Sequence, residues 1–195
     1  MKKPVLMPIL AIALAFVILL GASFGLKGIT AKNAQDAHLE LMRTLLPGSQ
    51  DFTLEPYSGE DANIRSVHKA ENGFVIETVT NGYAGEITMF IGVNNDGAVT
   101  GLVVRDMSET FGLGAQALTN YAFLSQFLNI SGQAAIGTAE ADALSGATGE
   151  SSAAEAEVYV DAISGATVTS KAIVRCVNSA VAYVTGADIS SAATS

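Results

Sequence analysis

From Pro4 to Leu26 the chain carries no charged side chain, a run of 23 residues. A helix needs about 20 apolar residues to cross a bilayer, so this run is long enough to span one. Lys2 and Lys3 precede it, which predicts a cytoplasmic N-terminus, although Lys27 and Lys32 beyond it weaken the bias. The alternative is a cleaved signal peptide. Its apolar part would be shorter, about 7–15 residues, and would end in a small-x-small site. Ala22-Ser23-Phe24 is a poor site and lies inside the apolar run. The reading is therefore a retained single-pass anchor over 1–28, and everything after it must fold as a separate extramembrane body.

That body is acidic. All 19 Asp and Glu lie beyond Leu26, against 8 of the 10 Lys and Arg. Such a surface repels phosphate backbones and argues against a nucleic-acid partner. Cys176 is the single cysteine, and His38 and His68 stand far apart, so neither an intrachain disulfide nor a cysteine- or histidine-ligated metal site is expected.

Periodicity outlines the fold. Ala34, Ala37, Leu41, Met42, Leu45 and Leu46 recur at helical spacing before Pro47-Gly48, predicting an amphipathic stalk helix within 29–50. Asn63–Ala70 and Phe74–Thr80 read as strands around Glu71-Asn72-Gly73, and Glu86–Val93 and Val99–Arg105 read as strands around Asn94-Asn95-Asp96-Gly97. Gly114–Leu128 is expected as a helix, Val158–Val160 as a last short strand, and Thr169–Val184 as the closing helix with Ile173, Val177, Val181 and Val184 on one face. Residues 131–157 are acidic and rich in Ala, Gly and Ser, and read as a mobile excursion, in which Ala134–Ala156 is expected to tolerate shortening. The predicted class is α+β: an N-terminal transmembrane helix, then a mainly antiparallel sheet flanked by helices in one domain over 51–186, with a disordered tail at 187–195.

Two stretches carry chemistry. In Asp161-Ala162-Ile163-Ser164-Gly165-Ala166-Thr167, small residues let the backbone approach a ligand closely, and the closing helix follows at once. Thr169 or Ser170 can cap that helix. Its N-terminus then faces Thr167 with free N–H groups and a positive dipole end, which suits a phosphate, and Lys171 adds charge. An ordinary capped strand-turn-helix connection has the same composition. The second stretch, Ser108-Glu109-Thr110-Phe111-Gly112-Leu113-Gly114, places two glycines at a helix start. With Ala117 it approaches a dinucleotide fingerprint, but no βαβ unit surrounds it, so a nicotinamide-binding domain is disfavoured.

Asp-x-x-Ser-Gly-Ala-Thr over 161–167 resembles the motif of proteins that carry FMN through a phosphoester to threonine. Ser-Glu-Thr-x-Gly-Leu-Gly over 108–114 resembles the flavin-contacting loop of the same family, and Gly82–Ile87 with Ile91-Gly92-Val93 resembles its first block. All three stand in the family's order. The chain as a whole resembles the G subunits of Rnf electron-transport complexes, and less closely the C subunits of sodium-pumping NADH:quinone reductases. The resemblance implies FMN esterified to Thr167, Asp161 read by the attaching enzyme, Ser164, Gly165 and Ala166 as a close-packed turn, and Glu109, Thr110, Gly112, Leu113 and Gly114 beside the flavin. It implies no metal. It further implies an electron relay in a complex that couples ferredoxin and NAD to ion translocation, other membrane subunits as partners, a flavin transferase for maturation, and a flavin domain outside the cell membrane. Phe111 and Ala84 depart from the pattern, where the family usually has proline and glycine.

Asp142–Thr148 repeats the same seven-residue pattern, but Gly149-Glu150 follows it in place of a helix. Glu150 would oppose a phosphate and a loop offers no aligned dipole, so Thr167 is the expected acceptor. Two readings compete with the relay: an anchored extracytoplasmic binding module without redox role, and a stand-alone flavinylated extracellular reductase.

Overall fold

The computed structural model describes residues 33, 35–108, 114–137 and 158–186. The expected anchor, Glu109, Thr110, Gly112 and Leu113, the second Asp-x-x-Ser-Gly-Ala-Thr copy and the C-terminal tail lie outside them. No helix among the described residues is long and apolar enough to cross a membrane. The chain divides into two compact units, Met1–Leu41 and Met42–Ser195. The described part of the first is helical, within a helix α1 over 35–45.

The second unit is built on a five-stranded antiparallel sheet in sequence order: β1 (Thr53–Glu55), β2 (Ile64–Ala70), β3 (Gly73–Asn81), β4 (Glu86–Asn94) and β5 (Val99–Met107). Its hairpins form where the turn residues stand. Asn94 Oδ1 accepts from the Asp96 and Ala98 N–H groups and closes the β4–β5 turn. β4 is buried from Ile87 through Val93, so side chains on both faces are covered. Ile87, Met89, Ile91 and Val93 join Ile76 of β3 and the long helix α4 (Thr167–Thr185) in the main core, through its Ala172, Ile173, Val177 and Val181. The alternate β4 residues point the other way. There Gly92 and Gly101 stand opposite each other, and a Cβ on Gly92 would collide with the Leu45 carbonyl. That carbonyl accepts the Thr100 hydroxyl, so the end of α1 lies directly on sheet backbone. On the same face as Gly92, exposed Arg105 pairs with buried Glu77 at 3.1 Å and lies over the Phe90 ring.

Four expectations are corrected. The helix expected over Gly114–Leu128 is three pieces, α2 (Gly114–Thr119), α3 (Tyr121–Leu124) and a 3-10 turn (Ser125–Phe127). Asn120 breaks it in an extended conformation, because its side chain accepts from Phe123 N–H and caps α3. Within the expected excursion, Ala134–Ile136 is a strand, β6, paired in parallel with β7 (Val158–Val160). Buried Asn178 of α4 fixes it, accepting from Ala134 N–H and donating to Ala134 C=O, both at 2.9 Å. The closing helix starts at Thr167, two residues earlier than expected. Thr169 and Ser170 are buried within its first turn and do not cap it.

Candidate functional site

α4 runs antiparallel to β3. Near its C-terminus, Tyr183 packs edge-on against Phe74 at the start of β3, and further back Arg175 donates to the Asn81 carbonyl at the end of that strand at 3.0 Å. The helix N-terminus therefore lies toward the β3–β4 turn, where Gly82 N–H bonds Gly85 C=O and Tyr83 is 72% exposed. The end of β5 adjoins that turn: Ser108 N–H donates to Glu86 C=O at 3.0 Å, and a Cβ on Gly85 would press on Ser108. Of the expected flavin loop, Ser108 and Gly114 fall among the described residues, Gly114 buried at the start of α2. α2 packs against α4 and β5.

The segment Asp161–Thr167 is built residue by residue. Val160 is buried and Asp161 is exposed. Ile163 N–H donates to the Ser170 hydroxyl at 3.3 Å, and Ile163 C=O accepts from Ala166 N–H at 2.9 Å. Ser164 and Gly165 form the turn between them, and Gly165 has φ 80°, a left-handed conformation that a Cβ would strain. Ala166 occupies the N-cap position and has no side chain to cap with. Thr167 follows as the first helical residue, exposed.

Three backbone donors result. The first helical bond runs from Ser170 N–H to Ala166 C=O at 2.8 Å, so the N–H groups of Thr167, Val168 and Thr169 have no partner within the helix. The first turn holds no acidic residue. Lys171 is exposed one turn on, at the i+4 spacing that shares a helix face with Thr167. The Thr169 hydroxyl is buried without a hydrogen-bond partner. Unmet donors, a positive dipole end and an accessible hydroxyl fit a phosphate esterified at Thr167.

Two residues here have no counterpart in the motif reading. Gln126 bonds the Asp161 main chain, and Asn178 bonds Ala134. Cys176 lies within the hydrophobic core. It is fully buried, and burial pushes its thiol up to about 11, so it stays protonated at neutral pH.

The chain is similar to several known proteins. A family described as FMN-binding domain matches residues 82–182, from the β3–β4 turn into α4. The G subunit of the ion-translocating oxidoreductase complex of Methanosarcina acetivorans is 33% identical over 157 residues, covering 74% of this chain and 73% of that protein. The G subunit of the Na(+)-translocating ferredoxin:NAD(+) oxidoreductase complex of Acetobacterium woodii is 34% identical over 110 residues, covering 56% of this chain and 47% of that protein, about half its length. Among solved structures, the C subunit of the Na(+)-translocating NADH-quinone reductase of Parabacteroides distasonis has a TM-score of 0.46 at 21% identity, covering 70% of this chain and 76% of that one.

Proposed function

The chain belongs to the FMN-binding domain family, and we propose that it carries FMN as a phosphoester on Thr167 and relays electrons as the G-type subunit of an ion-translocating complex between ferredoxin and NAD. The observation that carries the attachment is the open start of α4. Thr167 offers an exposed hydroxyl beside three N–H donors, on a helix whose N-cap residue supplies no side chain. Oriented backbone N–H groups hold an anion without reorganising, and the helix dipole favours it. Lys171 adds a positive charge within one turn, and Gly165 lets the chain turn sharply enough to present the hydroxyl. Bound FMN supplies the redox chemistry, taking electrons in pairs and releasing them singly.

In this reading the run Pro4–Leu26 anchors the protein in the cell membrane with the N-terminus cytoplasmic and the flavin domain outside. Its partners are the other membrane subunits of the complex and, during maturation, a flavin transferase. A covalent ester suits a carrier facing the dilute exterior, because a dissociated flavin would be lost. The names of the relatives support the relay; the helix start supports the bond.

The test is the intact mass of the full chain after co-expression with a flavin transferase. One FMN increment is expected, with fluorescence that survives a denaturing gel and disappears in Thr167→Ala. A chain that stays at its unmodified mass sinks the reading and leaves an anchored binding module in its place.

A further inference from the structure

Attachment at Thr167 requires a second protein to receive the segment from Asp161 to Thr167 in one geometry. Most of that segment holds itself through the Ile163, Ala166 and Ser170 bonds. Its first residue is held from elsewhere. Val158 and Val160 turn their main-chain groups toward β6, Val158 N–H to Gln133 C=O at 3.2 Å and Val160 C=O from Gly137 N–H at 3.1 Å. Main-chain groups alternate sides along an extended chain, so Asp161 turns to the opposite edge. There Gln126 meets it. Asp161 N–H donates to Gln126 Oε1 at 2.8 Å, and Gln126 Nε2 donates to Asp161 C=O at 3.5 Å. One side-chain amide thus takes the place of a neighbouring strand, while the Asp161 residue stays exposed.

We propose that Gln126 is a positioning residue for flavin attachment: by clamping the Asp161 main chain it fixes the start of the acceptor segment, so that the Asp161 carboxylate and the Thr167 hydroxyl reach the transferase in a single arrangement. The proposal rests on Thr167 being the acceptor. In the step it serves, the Thr167 Oγ1–phosphorus bond forms and the phosphoanhydride bond of a flavin adenine dinucleotide donor breaks. AMP leaves with the bonding pair, the hydroxyl proton passes to a base of the transferase, and nothing is oxidised or reduced. Gln126 touches no reacting atom. Its effect is on orientation, where small misplacements carry large rate penalties.

The experiment follows attachment over time by intact mass, using the full chain, flavin adenine dinucleotide and a flavin transferase. Gln126→Ala is expected to slow attachment at least about tenfold, by lost orientation. Gln126→Glu keeps the acceptor for Asp161 N–H, loses the donor, and is expected to fall between. Asn120→Ala is the control: it removes the α3 cap in the same stretch without touching Asp161, and is expected to lower the melting temperature while attaching at the wild-type rate. Wild-type rates in Gln126→Ala, or equal slowing in Asn120→Ala, overturn the proposal and leave Thr167 as acceptor untouched. If Gln126→Ala does not fold, Gln126→Glu at the wild-type rate overturns it equally. A wild-type chain that takes up no flavin is the separate failure, which removes the acceptor assignment itself.

Discussion

The two ends of α4 are finished in opposite ways. At the C-terminus, Gly186 adopts φ 71° and its N–H returns to Ala182 C=O at 2.8 Å, while the Thr185 hydroxyl bonds Val181 C=O at 2.9 Å. Tyr183 sets its ring edge-on against Tyr57 and Phe74 at that end. At the N-terminus the cap is Ala166, and the first turn has neither a capping oxygen nor an acidic side chain. A Ser, Asp or Asn at a cap is worth about 1 kcal/mol over alanine, and an acidic residue in the first turn adds about 0.3–1 kcal/mol. The closed end is built for stability. The open end forgoes that stability and leaves its donors without a capping side chain of the helix.

Substitutions can break that contrast. The largest effect is expected at the open end and is chemical: Thr167→Ala abolishes the covalent flavin, with a stability change within about 0.5 kcal/mol for so exposed a side chain. Thr148→Ala leaves the adduct in place, and peptide mass mapping that puts the flavin on Thr148 reverses the assignment. At the closed end the expected effect is thermodynamic. Gly186→Ala has no atom within 4 Å to collide with, so its cost is the left-handed backbone alone, about 1–2 kcal/mol. Calorimetry should find the lower melting temperature and intact mass an unchanged adduct; a lost adduct would mean the ends are not independent. The smallest effect has opposite signs in two measurements. Val168 is 49% exposed in the first turn, and Val168→Glu places a negative charge at the positive dipole end. The flavin-free protein should gain about 0.3–1 kcal/mol, while attachment slows because the new carboxylate repels the phosphate. A variant that loses stability, or attaches faster, contradicts an open anion-binding end.

The hairpins around Glu71-Asn72-Gly73 and Asn94–Gly97 were legible because turn residues and strand alternation are local properties. The turn that leads into α4 was legible because its small residues stand in one contiguous run. β6 was not: Ala134-Ala135-Ile136 has no strand signature, and what makes it a strand is Asn178, 44 residues away. Gln126 was invisible for the same reason, since a glutamine in an amphipathic stretch reads as a solvated face until its bonds to Asp161 are seen. The helix start was misplaced because Thr169 and Ser170 look like caps. Ser170 instead bonds Ala166 C=O from inside the first turn, a use of the same hydroxyl that composition does not distinguish.

The parallel pairing of β6 and β7 sets a floor on chain length. Ala134 lies opposite Val158 and Ile136 opposite Val160, so the chain leaves β6 at the far end of the pair and must travel back before β7 can begin. Antiparallel strands can be joined in two residues; a parallel pair needs about a dozen or more. Residues 137–157 supply 21. Shortening them toward a dozen therefore stays within reach of the pairing, and halving or doubling the length changes the closure cost by only about 0.6 kcal/mol. Deleting Thr138–Glu155 leaves three residues and falls below the floor, so β6 and β7 would part and Asp161 would lose the strand that leads to it. Growth in this segment is nearly free, whereas its loss propagates straight to the turn that begins at Asp161.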